Sequence, residues 1–263
     1  MLYESQWLEP REEVLCLEGI PPALEGLGLL HLSDAHIGQW GLNLRSFRKA
    51  VDWAVCRRPD LVLLTGDMTG TRRGHSGFFG QLGRLHPRLG LYAVLGNHEY
   101  GLSKNPFARA AEPPAWESTG VTLLRDRCVN LELGEGSDTV TLRLCGADYL
   151  TGGHGMNIDP ADPAFAVLLI HRPPLPDDPL AHRFDLTFAG HTHGGQIRIP
   201  TPWGLRRLHD EDLPYVAGIH RWGTGRLAIS RGTGTTFLPF RLFTRPEVVL
   251  YRLSGAPAPP LNL

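Results

Sequence analysis

Seven residues of types that bind metal ions recur in short blocks along the chain: Asp34 and His36, Asp67, Asn97, His171, then His191 and His193. They offer nitrogen and oxygen donors and no thiolate. That mix suits borderline first-row divalent ions such as Mn, Fe, Co, Ni or Zn better than Ca or Mg, which prefer oxygen alone. Seven donors exceed the needs of one tetrahedral ion, so two ions sharing a bridging carboxylate is the natural count. In Gly190-His191-Thr192-His193-Gly194-Gly195-Gln196 the two histidines are separated by one residue and flanked by glycines, so both can turn toward one region as the chain leaves a strand. Taken singly, each block has a plainer explanation as a turn, a helix cap or a surface loop. Their joint placement carries the weight.

Every block follows an apolar run. Leu27–Ser33, Leu61–Thr65, Leu91–Leu95, Ala166–Ile170 and Phe184–Ala189 are too short for helices and are bounded by turn residues, so they read as buried strands. Between the first two, Asn43 to Arg57 puts Phe47, Ala50, Val51, Ala54 and Val55 on one helical face, and Pro59 closes the helix. A second helix is expected over roughly Ser76 to Leu85. The first half is thus a βαβαβ unit, and open α/β sheets place their sites at the carboxyl ends of such strands. An opening strand is expected at Glu13–Leu17. In the second half, hairpins are expected for Val129–Leu133 with Thr139–Cys145 around Gly134-Glu135-Gly136, and for Ile219–Trp222 with Arg226–Ser230 across Gly223-Thr224-Gly225. Val248–Tyr251 reads as the last strand and the Ala/Pro-rich tail after Gly255 as loose. There is no internal repeat or long linker, and a single domain over 1–263 is expected.

Composition narrows the class. A chain of 263 residues, 42% hydrophobic and 20% charged, is ordinary for a soluble globular protein with one large core. A formal charge of -1 argues against nucleic-acid binding by bulk charge, and no nucleic-acid partner is indicated. Cys16, Cys56, Cys128 and Cys145 show no C-x-x-C spacing and mostly lie in apolar runs, so reduced core thiols are expected. Without an apolar stretch near the roughly 20 residues of a membrane span, or a signal-like start, the expected location is the cytoplasm.

In this order, the blocks Asp34-Ala35-His36, Gly66-Asp67, Gly96-Asn97-His98-Glu99, His171 and Gly190-His191-Thr192-His193 resemble the five-block pattern of the calcineurin-like metallophosphoesterase superfamily. The texture of Leu32–Gly38, of Gly190–Gln196, and of Ser230–Gly234 ahead of Arg245-Pro246-Glu247 is similar to a bacterial branch of small phosphodiesterases, including UDP-2,3-diacylglucosamine hydrolase-like enzymes. The resemblance implies an α/β fold of four αββα layers with the site on the rim between two facing sheets. It assigns Asp34, His36 and His193 to one ion, Asn97, His171 and His191 to the other, and Asp67 to the bridge. Many relatives of that branch carry an amino-terminal anchor or export signal, from which this sequence departs. The spacing between blocks leaves little room for an inserted cap.

The expected chemistry is hydrolysis of a phosphodiester or pyrophosphate, with two divalent ions, manganese first among them, lowering the pKa of a bridging water. His98 is expected to contact the scissile phosphate and assist the leaving oxygen, with Glu99 as its partner. Arg172 could touch substrate. A monoesterase or protein phosphatase on the same scaffold is the alternative, and a noncatalytic metal-binding scaffold is disfavoured because no member of the constellation is missing. His31, His75, His86, His154 and His220 lack strand-end placement and read as structural or exposed. The expected substrate is a small-molecule or lipid-linked phosphate ester. Transient contact with the inner membrane face would use three apolar stretches: Trp40 with Leu42 and Leu44, Phe78-Phe79, and Phe237–Phe240 with Leu242-Phe243.

Overall fold

Alternation inside the short apolar runs decides the architecture. In Leu61–Thr65, Leu61 and Leu63 face one way and Val62 and Leu64 the other, and all four have no exposed surface, so this strand must be covered on both faces. The computed structural model describes residues 3–103, 116–156, 164–208 and 213–256. The opening elements are β1 (Glu9–Cys16), β2 (Gly28–Leu32), α1 (Gly41–Val55), β3 (Leu61–Thr65), α2 (His75–Leu82), β4 (Leu91–Val94) and β5 (Val121–Leu123). There follow β6 (Arg127–Leu133), β7 (Val140–Gly146), β8 (Phe165–Leu169), β9 (Leu186–Ala189) and the hairpin β10 (Arg198–Thr201) with β11 (Gly204–Arg207). The chain closes with β12 (Gly218–Trp222), β13 (Gly225–Ile229) and β14 (Glu247–Ser254).

Two six-stranded sheets result, in the orders β1-β14-β2-β3-β4-β5 and β12-β13-β9-β8-β7-β6. In the first, β2, β3, β4 and β5 run parallel. In the second, β7, β8, β9 and β13 run parallel, with antiparallel β6 and β12 at the edges. The sheets face each other across a core that includes Leu29, Leu63, Val94, Leu144, Val167, Leu169, Leu186, Phe188 and Tyr251. Val62, Leu64 and Leu30, on the opposite face of the first sheet, pack against Phe47, Ala50, Val51 and Ala54 of α1 and Phe78 of α2. The outer face of the second sheet is covered by Leu180 and Ala181 of the 3-10 turn Pro179–His182, together with Met156 and Phe184. Removing a fully buried side chain such as Phe47 would cost about 3–5 kcal/mol.

The expected α/β sandwich is therefore present, with β2, β3, β4, β8 and β9 where the apolar runs place them. The two expected hairpins pair in antiparallel register. The segments missed by periodicity are β5 and the β10–β11 hairpin. The hairpin contains Pro200, Pro202 and Gly204 and carries arginines where a buried strand would carry aliphatics. Residues 257–263 of the tail lie outside the described residues. Among the described residues, no helix is long and apolar enough to cross a membrane.

The cysteine expectation is overturned. Cys128 and Cys145 form a disulfide, because the β6–β7 register sets them directly opposite each other. The pairing is long in sequence and invisible to a search for short motifs, yet it follows from the hairpin itself. It removes reduced thiols as an argument for a reducing compartment. Cys16 and Cys56 remain free, Cys56 on the surface.

The three apolar stretches differ in exposure. Phe78 is fully buried, and both Phe78 and Phe79 pack edge-on against Trp116, each at 5.5 Å. Leu44 joins the same cluster, and Trp40 and Leu42 are half-buried. Only the third stretch is open, through Phe237, Leu238 and Phe243.

Candidate metal centre

The parallel strands of both sheets point their carboxyl ends to one rim, and all seven proposed ligands sit there. Asp34 and His36 follow β2, Asp67 follows β3, Asn97 follows β4, His171 follows β8, and His191 and His193 follow β9. His36 Nε2 lies 3.0 Å from His193 Nε2, and Asp34 Oδ1 lies 3.4 Å from His193 Nε2 and 3.9 Å from His36 Nε2. On the other side His171 Nε2 lies 3.1 Å from His191 Nδ1 and 3.2 Å from Asn97 Oδ1. Asp67 Oδ2 stands between the two groups, 3.7 Å from His36 Nε2 and 3.4 Å from His171 Nε2. Asp34, His36 and His193 form one trio able to hold a metal ion, Asp67, His171 and His191 another, and His36, Asp67 and His98 a third.

The electrostatics fit a cation. Asp34 Oδ1 is buried and has no hydrogen-bond partner, which is costly by about 1–3 kcal/mol unless a cation meets it. Its other oxygen is saturated, accepting from Ser33 Oγ at 2.5 Å and from the His191 N–H at 2.9 Å. Burial pushes the Asp34 carboxyl up, and Asp67 adds to that push. Burial would also raise Asp67, but the surrounding imidazoles, His171 and His98 foremost, hold it well below the usual carboxylate range. Burial holds His36 and His193 well below the usual imidazole value, aided by His98 at the first and by His36 and Arg241 at the second. Both rings are thus neutral, and a neutral imidazole can turn a bare nitrogen to a metal ion where His36 Nε2 and His193 Nε2 meet. His171 moves the other way: burial opposes its charge, but Asp67 raises it to about 10.

The loops are bent to achieve this convergence. Asp34, His36, Asp67, His191 and His193 all have positive φ, between 44° and 70°. That conformation is uncommon for non-glycine residues and collects at functional sites, where the surroundings enforce it. Close approach of the two rims also demands glycine. A Cβ at Gly190 would overlap Ser33 Oγ and Asp34 Oδ2, and one at Gly96 would overlap Asp67 Oδ1.

Three side chains enforce the arrangement. Glu99 does not pair with His98, as expected from sequence; it turns beneath the loops and accepts backbone N–H groups from Asp67 and Gly96 on Oε2 and from Met68 and Thr69 on Oε1. Asn43, in the first turn of α1, donates to the carbonyls of His36 and Thr235, both at 3.0 Å, tying the helix to the first ligand loop. Arg241 is fully buried and donates to the carbonyls of His193 at 3.1 Å and Arg231 at 2.7 Å, and to that of Gly234. Sequence reading missed Arg241 because it lies in the apolar stretch ending at Phe243. The signal was a lone arginine among seven residues otherwise fit for a core.

His98 is nearly buried, with Nε2 3.8 Å from Asp67 Oδ2 and its ring edge-on to His36 at 4.4 Å. Burial lowers its pKa, with Asp67 opposing. Arg172 is exposed. Of the histidines set aside, His154 and His86 are exposed, His75 is half-buried beside Phe79, and His220 bonds the Ala217 carbonyl at 2.9 Å. His31 is fully buried under the site.

Residues 27–195 match the calcineurin-like phosphoesterase family, a span that holds every one of these ligand blocks. The chain is 26% identical over 259 residues to the metallophosphoesterase YkuE of Bacillus subtilis, covering 96% of this chain and 87% of that protein. It is 29% identical over 231 residues to the phosphodiesterase YaeI of Escherichia coli, covering 86% and 81% respectively. Among solved structures, a dimetal phosphatase from Danio rerio superimposes with a TM-score of 0.42 at 13% identity, over 80% of this chain and 88% of its own. The chain therefore belongs to the calcineurin-like phosphoesterase family, metal-dependent hydrolases of phosphate esters, and gathers its metal-capable residues on the rim between two sheets.

Proposed function

We propose that the rim holds two divalent ions and that the protein hydrolyses a phosphodiester or pyrophosphate. Asp34, His36 and His193 hold one ion, Asn97, His171 and His191 the other, and Asp67 joins them. The observation that carries this reading is the position of Asp67 Oδ2, within 3.7 Å of an imidazole from each group. The bound ions supply Lewis acidity and hydroxide near neutral pH. The protein's part is to fix their separation through Asp67 and to offer His98 to the phosphate. His98 sits beside the ligands with a buried ring, so its N–H can bond a phosphoryl or leaving oxygen in a setting of low dielectric.

Manganese is the preferred ion, with Fe, Zn, Co and Ni as alternatives that the same donors accept. Stripping the protein and restoring each metal in turn, with bis-p-nitrophenyl phosphate and p-nitrophenyl phosphate as paired substrates, tests both points. Diester turnover above monoester turnover supports the reading. The reverse result makes the protein a monoesterase, and absence of turnover with every metal overturns the catalytic assignment.

The substrate is proposed to be lipid-linked, met at an anionic bilayer surface. Support comes from the hairpin β10–β11, which leaves the ligand loop directly after Gln196 and exposes Ile199, Leu205, Leu208 and, at its tip, Trp203, which is 83% exposed. Gln196 donates to the carbonyls of Thr236 and Leu238, so the exposed Phe237, Leu238 and Phe243 stand beside the same loop. The hairpin carries Arg198, Arg206 and Arg207 and no carboxylate. An exposed aromatic tip with arginines beside it, Arg206 exposed among them, suits a headgroup region, an exposed arginine adding about 1 kcal/mol of attraction to anionic lipid. Co-sedimentation with phosphatidylglycerol vesicles should fall strongly in Trp203→Ser/Phe237→Ser. No binding by the parent protein, together with preference for a soluble diester, would sink the lipid reading and leave the hydrolase reading intact.

A further inference from the structure

Beneath Asp34 a line of hydrogen bonds runs back into the space between the sheets. Ser33 Oγ donates to Asp34 Oδ2 at 2.5 Å, Thr65 Oγ1 donates to Ser33 Oγ at 2.7 Å, and His31 Nε2 lies 2.9 Å from Thr65 Oγ1. All four side chains are fully buried. The far end sets the direction. An ionised Asp34 only accepts, so Ser33 and then Thr65 each commit their single proton toward it, and Thr65 must accept from an N–H at His31 Nε2. That tautomer leaves Nδ1 bare, and Nδ1 is a buried atom with no partner, in a wall formed by Phe188 at 5.2 Å and Tyr251 at 6.4 Å. Burial keeps the ring neutral, with its pKa pushed down to about 3. An unpartnered nitrogen in an apolar wall lowers stability, so packing alone does not account for histidine at this position.

We infer that His31 is a positioning residue for the metal centre: its Nε2–H orients the Thr65 and Ser33 hydroxyls, which hold Asp34 Oδ2 and keep Oδ1 aimed at the point shared with His36 and His193. The inference rests on the reading of Asp34 as a ligand. Position follows from register, since His31 on β2 pairs with Leu63 on β3, two residues before Thr65. The pleat turns His31 and Thr65 to the same inter-sheet face.

Calorimetric titration of the metal-free protein with Mn(II) tests it, comparing wild type, His31→Phe and His31→Gln. The phenylalanine variant keeps the ring packing and removes the donor; glutamine restores an N–H. The expected result is one ion weakened ten- to hundredfold in His31→Phe, the other within threefold of wild type, and most of the loss recovered in His31→Gln. The metal-free thermal midpoint of His31→Phe should match or exceed that of wild type, because the bare nitrogen is gone. Unchanged affinity in His31→Phe, equal loss of both ions, or failure of glutamine to do better than phenylalanine overturns the inference. Should His31→Phe fail to fold, Thr65→Val breaks the same line one step nearer the ligand and is read by the same criteria. A wild-type protein that takes one ion overturns the two-ion reading yet still reports on His31 through that ion; one that takes none overturns both.

Discussion

The carboxylate of Glu99 accepts the backbone N–H of Asp67 at 2.9 Å, so one buried acid fixes the main chain from which the other reaches between the two ligand groups. The same oxygen takes the Gly96 N–H at 2.8 Å, which locks the β3 and β4 exit loops to each other. Burial, with the charge of Asp67, pushes the Glu99 carboxyl up to about 7, against the pull of these N–H donors. The geometry is that of an acceptor on both oxygens.

Replacing Glu99 with Gln should therefore be damaging despite the near-identical shape. The amide nitrogen would face two backbone donors in a buried space, a loss of about 2–4 kcal/mol. Denaturant unfolding of the metal-free proteins measures it. A difference below about 0.5 kcal/mol would show that the four N–H contacts do not hold the loops.

Metal affinity should rise with pH. His171 is held protonated to about 10 in the metal-free protein, chiefly by Asp67 acting against burial, and a metal must displace that proton. Below that value each pH unit gained lowers the cost of release, so the association constant should climb by up to about tenfold per unit between pH 6 and 9 from this group alone. Titrations at three pH values check the slope. A pH-independent affinity would mean that His171 is already neutral.

His98→Ala should lower turnover by about 10²- to 10⁴-fold while metal content changes little, since the ring stands beside the ligands. The deficit should shrink for a nitrophenolate leaving group, which needs little help to depart. Equal deficits for good and poor leaving groups would move His98 from assisting departure to binding the phosphate.

Arg241→Met should lower stability by about 3 kcal/mol or more by stranding the carbonyls of His193, Arg231 and Gly234. Arg241→Lys should recover only part, because one ammonium cannot reach the spread of acceptors that a guanidinium spans. Thermal melts of both variants decide. Equal stability of the lysine variant and wild type would reduce Arg241 to a point charge.

The metal-capable residues at the strand ends were legible because each follows a continuous apolar run, and buried parallel strands end where a site can form. The residues that hold those loops in place were not. Glu99 and Arg241 bond backbone atoms of loops distant in sequence, and although a lone arginine in an apolar stretch is itself a signal, the local pattern of neither residue names its partners. His31 gives no strand-end signal because it sits inside its strand, and its contact with Thr65 depends on the register between β2 and β3. The β10–β11 hairpin escaped because its prolines and arginines break the alternation that marks a strand. The Cys128–Cys145 bond could have been read from the expected hairpin, whose register fixes the pair.

Metal content per chain after exhaustive dialysis shows whether Asp67 joins two ions. Wild-type protein reconstituted with Mn(II) should retain two ions per chain. Asp67→Asn, which removes the charge and keeps the size, should retain fewer than one and lose activity by about 100-fold or more. An Asp67→Asn protein that keeps two ions and normal diester turnover would show that Asp67 does not join them.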